Sequence, residues 1–309
     1  MVNDLETPKI WAVFPPQPSH RVVVTGATGA VGRLVVAGLL DAGYPVRAVS
    51  RHPHDAHLPP TAEVVVGDLS EPLTLKTAFV GAAQLVLISV PETVNEVVAQ
   101  AQQAGIEHIV VVSSAAVTAG YDTTYNLPVE QAVTASGLDW TIVRPGEFAT
   151  NALLLWGPSI RAHRRVVEPF PDQSGNPIHE ADIADVIVAD LIDPQRRGRI
   201  DTIIGPDTLT KREQVAAIAT AIGESITLDE VTADEARSYY RAQGGFAAEN
   251  ADFLFGFETY DGIEGVADEP HDTSVDLDGS YVTLTQVTGS PARSYAQWAR
   301  DHASDLVER

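Results

Sequence analysis

Three glycines near the start of this 309-residue chain form the segment with the clearest chemical potential. Gly26, Gly29 and Gly32 stand three residues apart, directly between an apolar run and a helical pattern. The first permits a tight turn, the second lets the backbone approach a pyrophosphate, and the third allows close packing of helix on strand. The helix that follows offers unpaired N–H groups and the positive end of its dipole to phosphates. The spacing predicts a dinucleotide-binding loop, with a purely structural turn as the alternative.

The end of the second predicted strand distinguishes between two dinucleotides. A carboxylate about 20 residues after the glycines would hold the ribose 2′-hydroxyl of NAD, but the chain has Ser50, Arg51 and His52 there. The Arg51 guanidinium is a planar fork suited to a 2′-phosphate. One such charge-assisted hydrogen bond, of about 1.5–3 kcal/mol, gives a preference of about 10- to 150-fold. We therefore expect NADP(H) as the cofactor, with a solvated surface arginine as the alternative.

Polar residues also stand where three later strands are predicted to end. Asp68 lies in Gly-Asp-Leu after the third strand, where it either accepts from the adenine amino group or caps the helix after Pro72. Ser89 ends the fourth strand, and Ser113 and Ser114 follow the fifth. Ligands of open α/β sheets bind at the carboxyl ends of the strands, so we expect these side chains at one ligand-binding edge.

The elements that must position these residues follow from an alternation of short apolar runs and helical patterns. Strands are predicted at 21–24, 46–49, 63–66, 85–89, 108–112 and 140–143, and helices at 31–40, 73–79, 93–104 and 129–135. This alternation predicts a parallel sheet with helices on both faces. Residues 1–19 are expected to be an irregular lead-in, because Pro15, Pro16 and Pro18 exclude a helix or an interior strand.

The pattern is less regular after Pro145. A helix is predicted at 182–191, a strand at 202–204, and capping boxes open helices at Thr210 and Thr232. We expect a dinucleotide-binding core at 20–148 and a smaller C-terminal region at 149–309, interleaved with that core. An aromatic cluster in this region either lines the bottom of a pocket or forms a small core of its own. It comprises Phe246, Phe253, Phe255, Phe257 and Tyr260.

The composition excludes several classes of protein. With 20 Lys and Arg against 42 Asp and Glu, the net charge is −22, which argues against nucleic acid or anionic lipid as a partner. The chain has no cysteine, and hence no disulfide, thiolate metal site or catalytic thiol. No histidine spacing indicates a metal, and His52, His54 and His57 are expected in a solvated loop. No apolar run is long enough to cross a bilayer. We expect a cytoplasmic protein with a small-molecule substrate.

On these residues the chain resembles the NmrA-like, NAD(P)-binding group of atypical short-chain dehydrogenases/reductases. The resemblance spans residues 20–215 and the extreme C-terminus. The matching segments are Thr25–Gly32, Arg47–Arg51, Gly67–Leu69, Val112–Ser114, Glu130, Ser136–Pro145, His179–Ala184 and Val287–Trp298. It implies a Rossmann-type doubly wound parallel sheet with a smaller C-terminal substrate lobe, and leaves open whether the protein is a homo-oligomer.

The resemblance also implies which residues surround the cofactor and the substrate. The implied cofactor residues are Gly26, Thr28, Gly29, Ala30, Val31, Gly32, Arg51, Asp68, Leu69, Ser89 and Val90, with Gly146 and Phe148 near the nicotinamide. Phe148 and Trp156 are candidates for a substrate-pocket wall, and an ordinary buried aromatic is the alternative for Trp156. Members of the group reduce quinones, imines or conjugated double bonds, and others sense dinucleotides without turnover.

One departure from the wider superfamily limits the chemistry. Conventional members use Tyr-x-x-x-Lys, but no lysine lies between Lys76 and Lys211. Aligning on Glu130 places Asn126 in the lysine position and Asp122 in the tyrosine position. The loss of a positioned acid, worth about 10²–10⁴-fold, argues against ordinary ketone reduction. An electron-poor quinone, enone or imine remains feasible, with Tyr125 or Ser113 as the candidate hydroxyl. The alternatives are a dinucleotide-sensing regulator and a non-redox isomerase or cyclase.

Overall fold

A computed structural model of the chain describes residues 21–259, 262–265 and 281–307. The expected lead-in at 1–19 and Tyr260 of the aromatic cluster lie outside these ranges. The chain divides into two compact units. Unit 1 comprises Met1–Pro145, Glu180–Ile203 and Ser280–Ala292, and unit 2 comprises Gly146–His179, Ile204–Gly279 and Arg293–Arg309. Within the described ranges, no helix is both long and apolar enough to span a bilayer.

The strands and helices of the described chain run as follows. The strands are β1 (Val22–Val24), β2 (Val46–Ser50), β3 (Glu63–Val66), β4 (Gln84–Ile88), β5 (His108–Val112), β6 (Asp139–Pro145), β7 (Arg165–Glu168), β8 (Ser174–Gly175), β9 (Ile200–Ile203), β10 (Leu209–Thr210) and β11 (Thr227–Glu230). The helices are α1 (Ala30–Asp41), α2 (Lys76–Phe79), α3 (Val94–Ala104), α4 (Ala115–Thr118), α5 (Asn126–Thr134), α6 (Asn151–Leu155), α7 (Gly157–His163), α8 (Glu180–Ile192), α9 (Lys211–Ile222), α10 (Ala233–Gln243), α11 (Gly245–Leu254), α12 (Leu284–Thr288) and α13 (Tyr295–Asp301).

Unit 1 is built on a seven-stranded sheet with the order β3-β2-β1-β4-β5-β6-β9. Every neighbouring pair in it is parallel. The chain leaves β1 toward β2 and β3 on one side and toward β4, β5 and β6 on the other. The reversal between β1 and β4 is therefore the topological switch point, where such sheets bind ligands. The predicted Rossmann-type doubly wound fold is confirmed.

Helices cover both faces of this sheet, which explains why its central strands are continuous apolar runs. On one face, α3 and α5 pack against β4, β5 and β6 in a single core that includes Leu85, Ile109 and Ile142. On the other, α1 and α8 pack together. Two helices begin at least two residues earlier than predicted. Pro128 is tolerated in the first turn of α5, which therefore starts at Asn126, and α8 starts at Glu180.

Unit 2 has a separate core and two small sheets. Strand β7 pairs with β11 in parallel, and β8 pairs with β10 antiparallel. Both predicted capping boxes are present, at Thr210 and Thr232. Phe255 is buried in the core and its ring contacts Tyr240, while the Arg237 guanidinium lies 4.1 Å from the Phe257 ring centroid. For these two phenylalanines the small-core interpretation is therefore the better one.

A charged cluster lies inside unit 2. Lys211 Nζ donates to Glu147 Oε1 at 2.6 Å, and the Trp156 indole hydrogen-bonds Glu168. Burial raises the pKa of Glu168 to about 7, although the charge of Lys211 opposes the shift. Burial lowers the pKa of Lys211, but the carboxylates of Glu147 and Glu168 outweigh this and raise it overall. The cluster thus keeps a proton on Glu168 at pH values where an exposed glutamate would be ionised.

This raised pKa predicts how the stability of unit 2 depends on pH. A glutamate that holds its proton to about pH 7 when folded, and to 4.5 when unfolded, favours the folded state at low pH. That contribution is lost as pH rises from 4.5 to 7, up to ~3 kcal/mol in all. Glu168→Gln should therefore gain stability relative to the wild type across this window, as measured by urea unfolding. A difference between the two proteins that is constant with pH would contradict this.

Candidate functional site

The glycine loop joins β1 to α1 and leaves the start of the helix open. Gly26 has a φ of +59°, and its carbonyl accepts from Gly29 N at 3.0 Å. Gly29 is the N-cap of α1, with no side-chain cap and no acidic residue in the first turn. A Cβ on Gly32 would lie 2.1 Å from the Gly26 oxygen. The first N–H groups of α1 are therefore available to an anion, and the bare Gly32 lets the helix pack directly against the glycine turn.

Thr25 fixes this loop at the switch point of the sheet. Its Oγ1 donates to Val86 O at 2.8 Å and accepts from Ile88 N at 3.1 Å, which extends the β1–β4 pairing beyond the last strand residue. A Cβ on Gly26 would lie 3.0 Å from two side-chain atoms of Ile88. Sequence reasoning did not assign Thr25 this role, although a buried hydroxyl between a strand and a glycine turn was a usable signal.

Arg51 and Asp68 lie where the sequence predicted, after β2 and β3. Arg51 is exposed, and Ser50 Oγ shapes the turn beside it by accepting from His52 N at 3.1 Å. Asp68 Oδ1 accepts from the Ser70 hydroxyl and backbone N–H. These bonds, with a smaller contribution from the charge of Arg51, lower the pKa of Asp68. The two side chains are thus close enough to interact electrostatically, with the guanidinium open to solvent.

The helix-cap interpretation of Asp68 is wrong, because the turn at Pro72–Leu75 has Glu71 as its N-cap. A contact of Asp68 with adenine stays a prediction. Leu69 is buried in the core of unit 1, and its carbonyl accepts from Thr93 Oγ1 at 2.7 Å. Val90 is half-buried and packs against the same core. The side chain of Leu69 is therefore committed to packing, and a cofactor would meet its backbone.

Ser89, at the end of β4, is the centre of a short polar chain. Its Oγ donates to Asn126 Oδ1 at 2.5 Å and lies 3.2 Å from Val112 O of β5. Asn126 in turn donates from Nδ2 to Asp122 Oδ2 at 2.5 Å. Asp122, only 1% exposed, also accepts from the backbone N–H groups of Tyr125 and Asn126. The residues aligned with the usual lysine and tyrosine thus fix the start of α5 to the sheet.

Ser113, at the end of β5, belongs to a second polar chain. Its Oγ donates to Glu130 Oε1 at 2.5 Å. Arg144 of β6 donates to both oxygens of Glu130, at 2.9 and 2.6 Å, and to Thr118 Oγ1 at 3.1 Å. Ser113 and Glu130 are both buried. Sequence reasoning noted Glu130 but not Arg144, although a charged residue inside an apolar strand was a signal of this pairing.

Tyr125 lies beside these chains but is held loosely. Its hydroxyl donates to Ser89 O at 3.4 Å, and its side chain is 49% exposed. Partial burial and the charges of Glu92 and Asp122 raise its pKa. None of the described lysines contributes to this shift, in contrast to the conventional dyad. Tyr125 is therefore a neutral phenol at physiological pH, able to donate a proton but not poised as a strong acid.

Three predicted residues fall in unit 2. Gly146 and Phe148 directly follow β6, and the backbone of Phe148 bridges to Ile178. Trp156 is 4% exposed and packs in the unit 2 core, which favours the interpretation as an ordinary buried aromatic. The nicotinamide contacts of Gly146 and Phe148 stay predictions. His52, His54 and His57 are exposed, and among the described residues no cluster of His, Asp and Glu could hold a metal ion.

The Glu130–Arg144 pair predicts a large stability effect. Arg144→Leu would leave the buried Glu130 carboxylate without its bidentate partner, and we expect a loss of about 3–5 kcal/mol. The matched double variant Arg144→Leu/Glu130→Leu removes both charges and should recover most of this loss. Urea unfolding of the cofactor-free proteins measures both. A single variant as stable as the wild type would show that the pair contributes nothing.

Comparisons with known proteins agree with this geometry. A family model described as NAD(P)H-binding matches residues 26–194. The (4-alkanoyl-5-oxo-2,5-dihydrofuran-3-yl)methyl phosphate reductase of Streptomyces griseus is 33% identical over 290 residues, which cover 91% of this chain and 98% of that protein. The NAD(P)H azoreductase of Xenophilus azovorans is 29% identical over 92% of this chain and 98% of that protein.

Solved structures share the fold at lower identity. An NADPH-dependent quinone oxidoreductase from Escherichia coli superposes with a TM-score of 0.71 at 22% identity, covering 91% of this chain and 98% of its own. NmrA, a negative transcriptional regulator in complex with NADP, superposes with a TM-score of 0.66 at 18% identity, covering 92% and 95%. The resemblance inferred from the sequence is confirmed, as is NAD(P)H binding.

Proposed function

The chain belongs to the NAD(P)H-binding family, as an NmrA-like atypical short-chain dehydrogenase/reductase, and we propose that it is an NADPH-dependent reductase of small, electron-poor organic acceptors. The observation that carries the proposal is the start of α5, where Asp122 and Asn126 replace a tyrosine–lysine pair and bond to each other. The cofactor loop is complete while the usual proton-donating dyad is missing. That combination suits acceptors such as quinones, enones and imines.

The residues of unit 1 support a path for the cofactor along the ends of the strands. Because Arg51 lies on the β2 side of the glycine loop, a 2′-phosphate bound there directs the adenosine toward β2 and β3. The pyrophosphate would then meet the open N-terminus of α1, and the nicotinamide half would extend toward Ser89 and Ser113 at the ends of β4 and β5. When bound, NADPH supplies a hydride. The chain's part is to position the reactants and exclude water.

The absence of the tyrosine–lysine dyad restricts which classes of acceptor the protein can reduce. Hydride addition to an ordinary ketone creates an alkoxide, which needs a positioned acid. Hydride addition to an iminium carbon gives a neutral amine and needs no further proton. Addition to a conjugated C=C bond or a quinone gives a delocalised anion that takes up one proton, for which a neutral hydroxyl or water suffices. Tyr125 is our candidate for that hydroxyl, because it is exposed beside Ser89 and carries a proton at neutral pH.

The relatives support this substrate class. The name of the Streptomyces griseus reductase describes an alkanoyl-substituted unsaturated lactone, and azo compounds and quinones are named for two others. These acceptors have in common a bond that conjugation makes electron-poor. We therefore propose an activated C=C bond as the first choice of acceptor, with quinones and imines as the alternatives.

The test follows NADPH oxidation against a panel of acyl-substituted unsaturated lactones, quinones and cyclic imines, with simple ketones as the matched negative set. We expect turnover of at least one activated acceptor and none of the ketones. Efficient ketone reduction would contradict the proposal.

A dinucleotide sensor is the second candidate, which the missing dyad also favours. Calorimetry with NADP⁺ and NADPH separates it from the reductase. Binding that discriminates between the two redox forms, without turnover of any acceptor, would favour the sensor.

A further inference from the structure

The hydroxyl of Ser113 has a single proton, and this proton is already used in a hydrogen bond. The hydroxyl donates to Glu130 Oε1 at 2.5 Å. Glu130 cannot return a proton, because its two oxygens already accept from the fork of Arg144 and a carboxylate paired in this way is an acceptor only. Glu130 is 3% exposed, so solvent offers its Oε1 no ready substitute for the serine. What Ser113 has left to offer a ligand is therefore a lone pair.

The neighbouring Ser114 is not restricted in this way to accepting a hydrogen bond. Ser114 Oγ accepts from Ala116 N at 3.2 Å and caps α4. Within the described part of the chain, no carboxylate accepts its proton. The two serines lie side by side after β5, but one is a structural cap and the other is buried, with its donor fully used. Ser113 consequently cannot be the proton source that the sequence suggested.

Under the proposed function, the nicotinamide half of the cofactor extends toward the ends of β4 and β5. The nicotinamide ring carries one group that donates hydrogen bonds, the NH2 of its carboxamide. We propose that Ser113 Oγ accepts a hydrogen bond from this carboxamide, and that Glu130 and Arg144 are positioning residues that hold Ser113 in the accepting state. This inference rests on the proposed function and assigns Ser113 to cofactor recognition, leaving protonation of the product to Tyr125 or water.

The test uses a cofactor analogue in which the carboxamide is replaced by a carboxylate. Nicotinic acid adenine dinucleotide phosphate keeps both phosphate contacts but presents oxygen lone pairs where NADP⁺ presents N–H groups. The wild type should bind NADP⁺ at least about tenfold more tightly than this analogue in titration calorimetry, since an N–H bond is lost and lone pairs face each other. Equal affinities for the two would overturn the inference without any mutation.

Variants of Ser113 and Ser114 test whether the affinity ratio between the two dinucleotides depends on the Ser113 hydroxyl. Ser113→Ala should reduce the affinity ratio by about tenfold, while Ser114→Ala, the matched control, should leave it unchanged. Ser113→Thr keeps the hydroxyl and should restore a ratio close to that of the wild type. A Ser113→Ala ratio equal to that of the wild type would overturn the inference alone. A wild type that binds neither dinucleotide would overturn the proposed function as well.

Discussion

Replacing Arg51 with alanine should weaken NADPH binding by about 10- to 150-fold and leave NADH binding nearly unchanged. The guanidinium is exposed at the end of β2, beside Asp68 and one strand away from the glycine loop. A charge-assisted bond to a 2′-phosphate is worth about 1.5–3 kcal/mol, and NADH has no such phosphate. Calorimetric titration of both cofactors into both proteins measures the effect.

The control for this variant is Lys76→Ala, which removes an exposed positive charge from the same unit. It should change the affinity for either cofactor by less than about twofold at physiological salt, where charges beyond ~8 Å are screened. An equal loss of NADPH and NADH affinity in Arg51→Ala would refute the phosphate assignment, and Arg51 would then be a solvated surface residue.

Replacing Gly32 with alanine should reduce the affinity for NADPH and NADH alike, by on the order of 100-fold. The added Cβ would lie 2.1 Å from the Gly26 oxygen and 2.9 Å from the Ala27 Cα. All of its closest neighbours are backbone, so the loop itself must move. A steric cost of about 1–3 kcal/mol adds to the loss of aligned N–H groups at the start of α1. Calorimetry again gives the measurement.

Gly38→Ala is the matched control, because it adds the same methyl group to the same helix. Its Cβ would lie 3.2 Å from a side-chain carbon of Val188, which can shift at small cost, and alanine also favours the helix. We expect normal cofactor affinity and a normal fold. If Gly32→Ala also bound NADPH normally, the glycine loop would be a structural turn only.

The sheet of unit 1 was predictable from sequence because its central strands are buried on both faces. Runs such as Val22–Val24 and Ile109–Val112 are apolar over their whole length, and glycines such as Gly105 mark the helix ends. The strand β11 of unit 2 lacks such an apolar run. Thr227–Glu230 forms β11 with two acidic residues in four, and its pairing with β7 depends on a segment about sixty residues away.

The candidate site likewise has a part that could be predicted from the sequence and a part that could not. The glycine loop is a local feature, so three glycines at fixed spacing predicted its conformation, and Arg51 and Asp68 followed from the strand ends. The two polar chains are not local. Glu130 is 17 residues from Ser113 and 14 residues from Arg144 in the sequence. The three side chains meet only because β5 and β6 pair and α5 packs across them. Sequence reasoning therefore found Ser113 but not the hydrogen bond that its hydroxyl donates to Glu130.

The central claim is tested most directly by following the hydride itself. NADPH labelled with deuterium at C4 of the nicotinamide, in separate preparations for each face, is supplied with an acyl-substituted unsaturated lactone, and the product is examined by mass spectrometry and NMR. With one of the two preparations, we predict one deuterium at the β-carbon for each NADPH oxidised, and a solvent-derived hydrogen at the α-carbon. A reduced product without deuterium from either preparation would contradict direct hydride transfer by this protein.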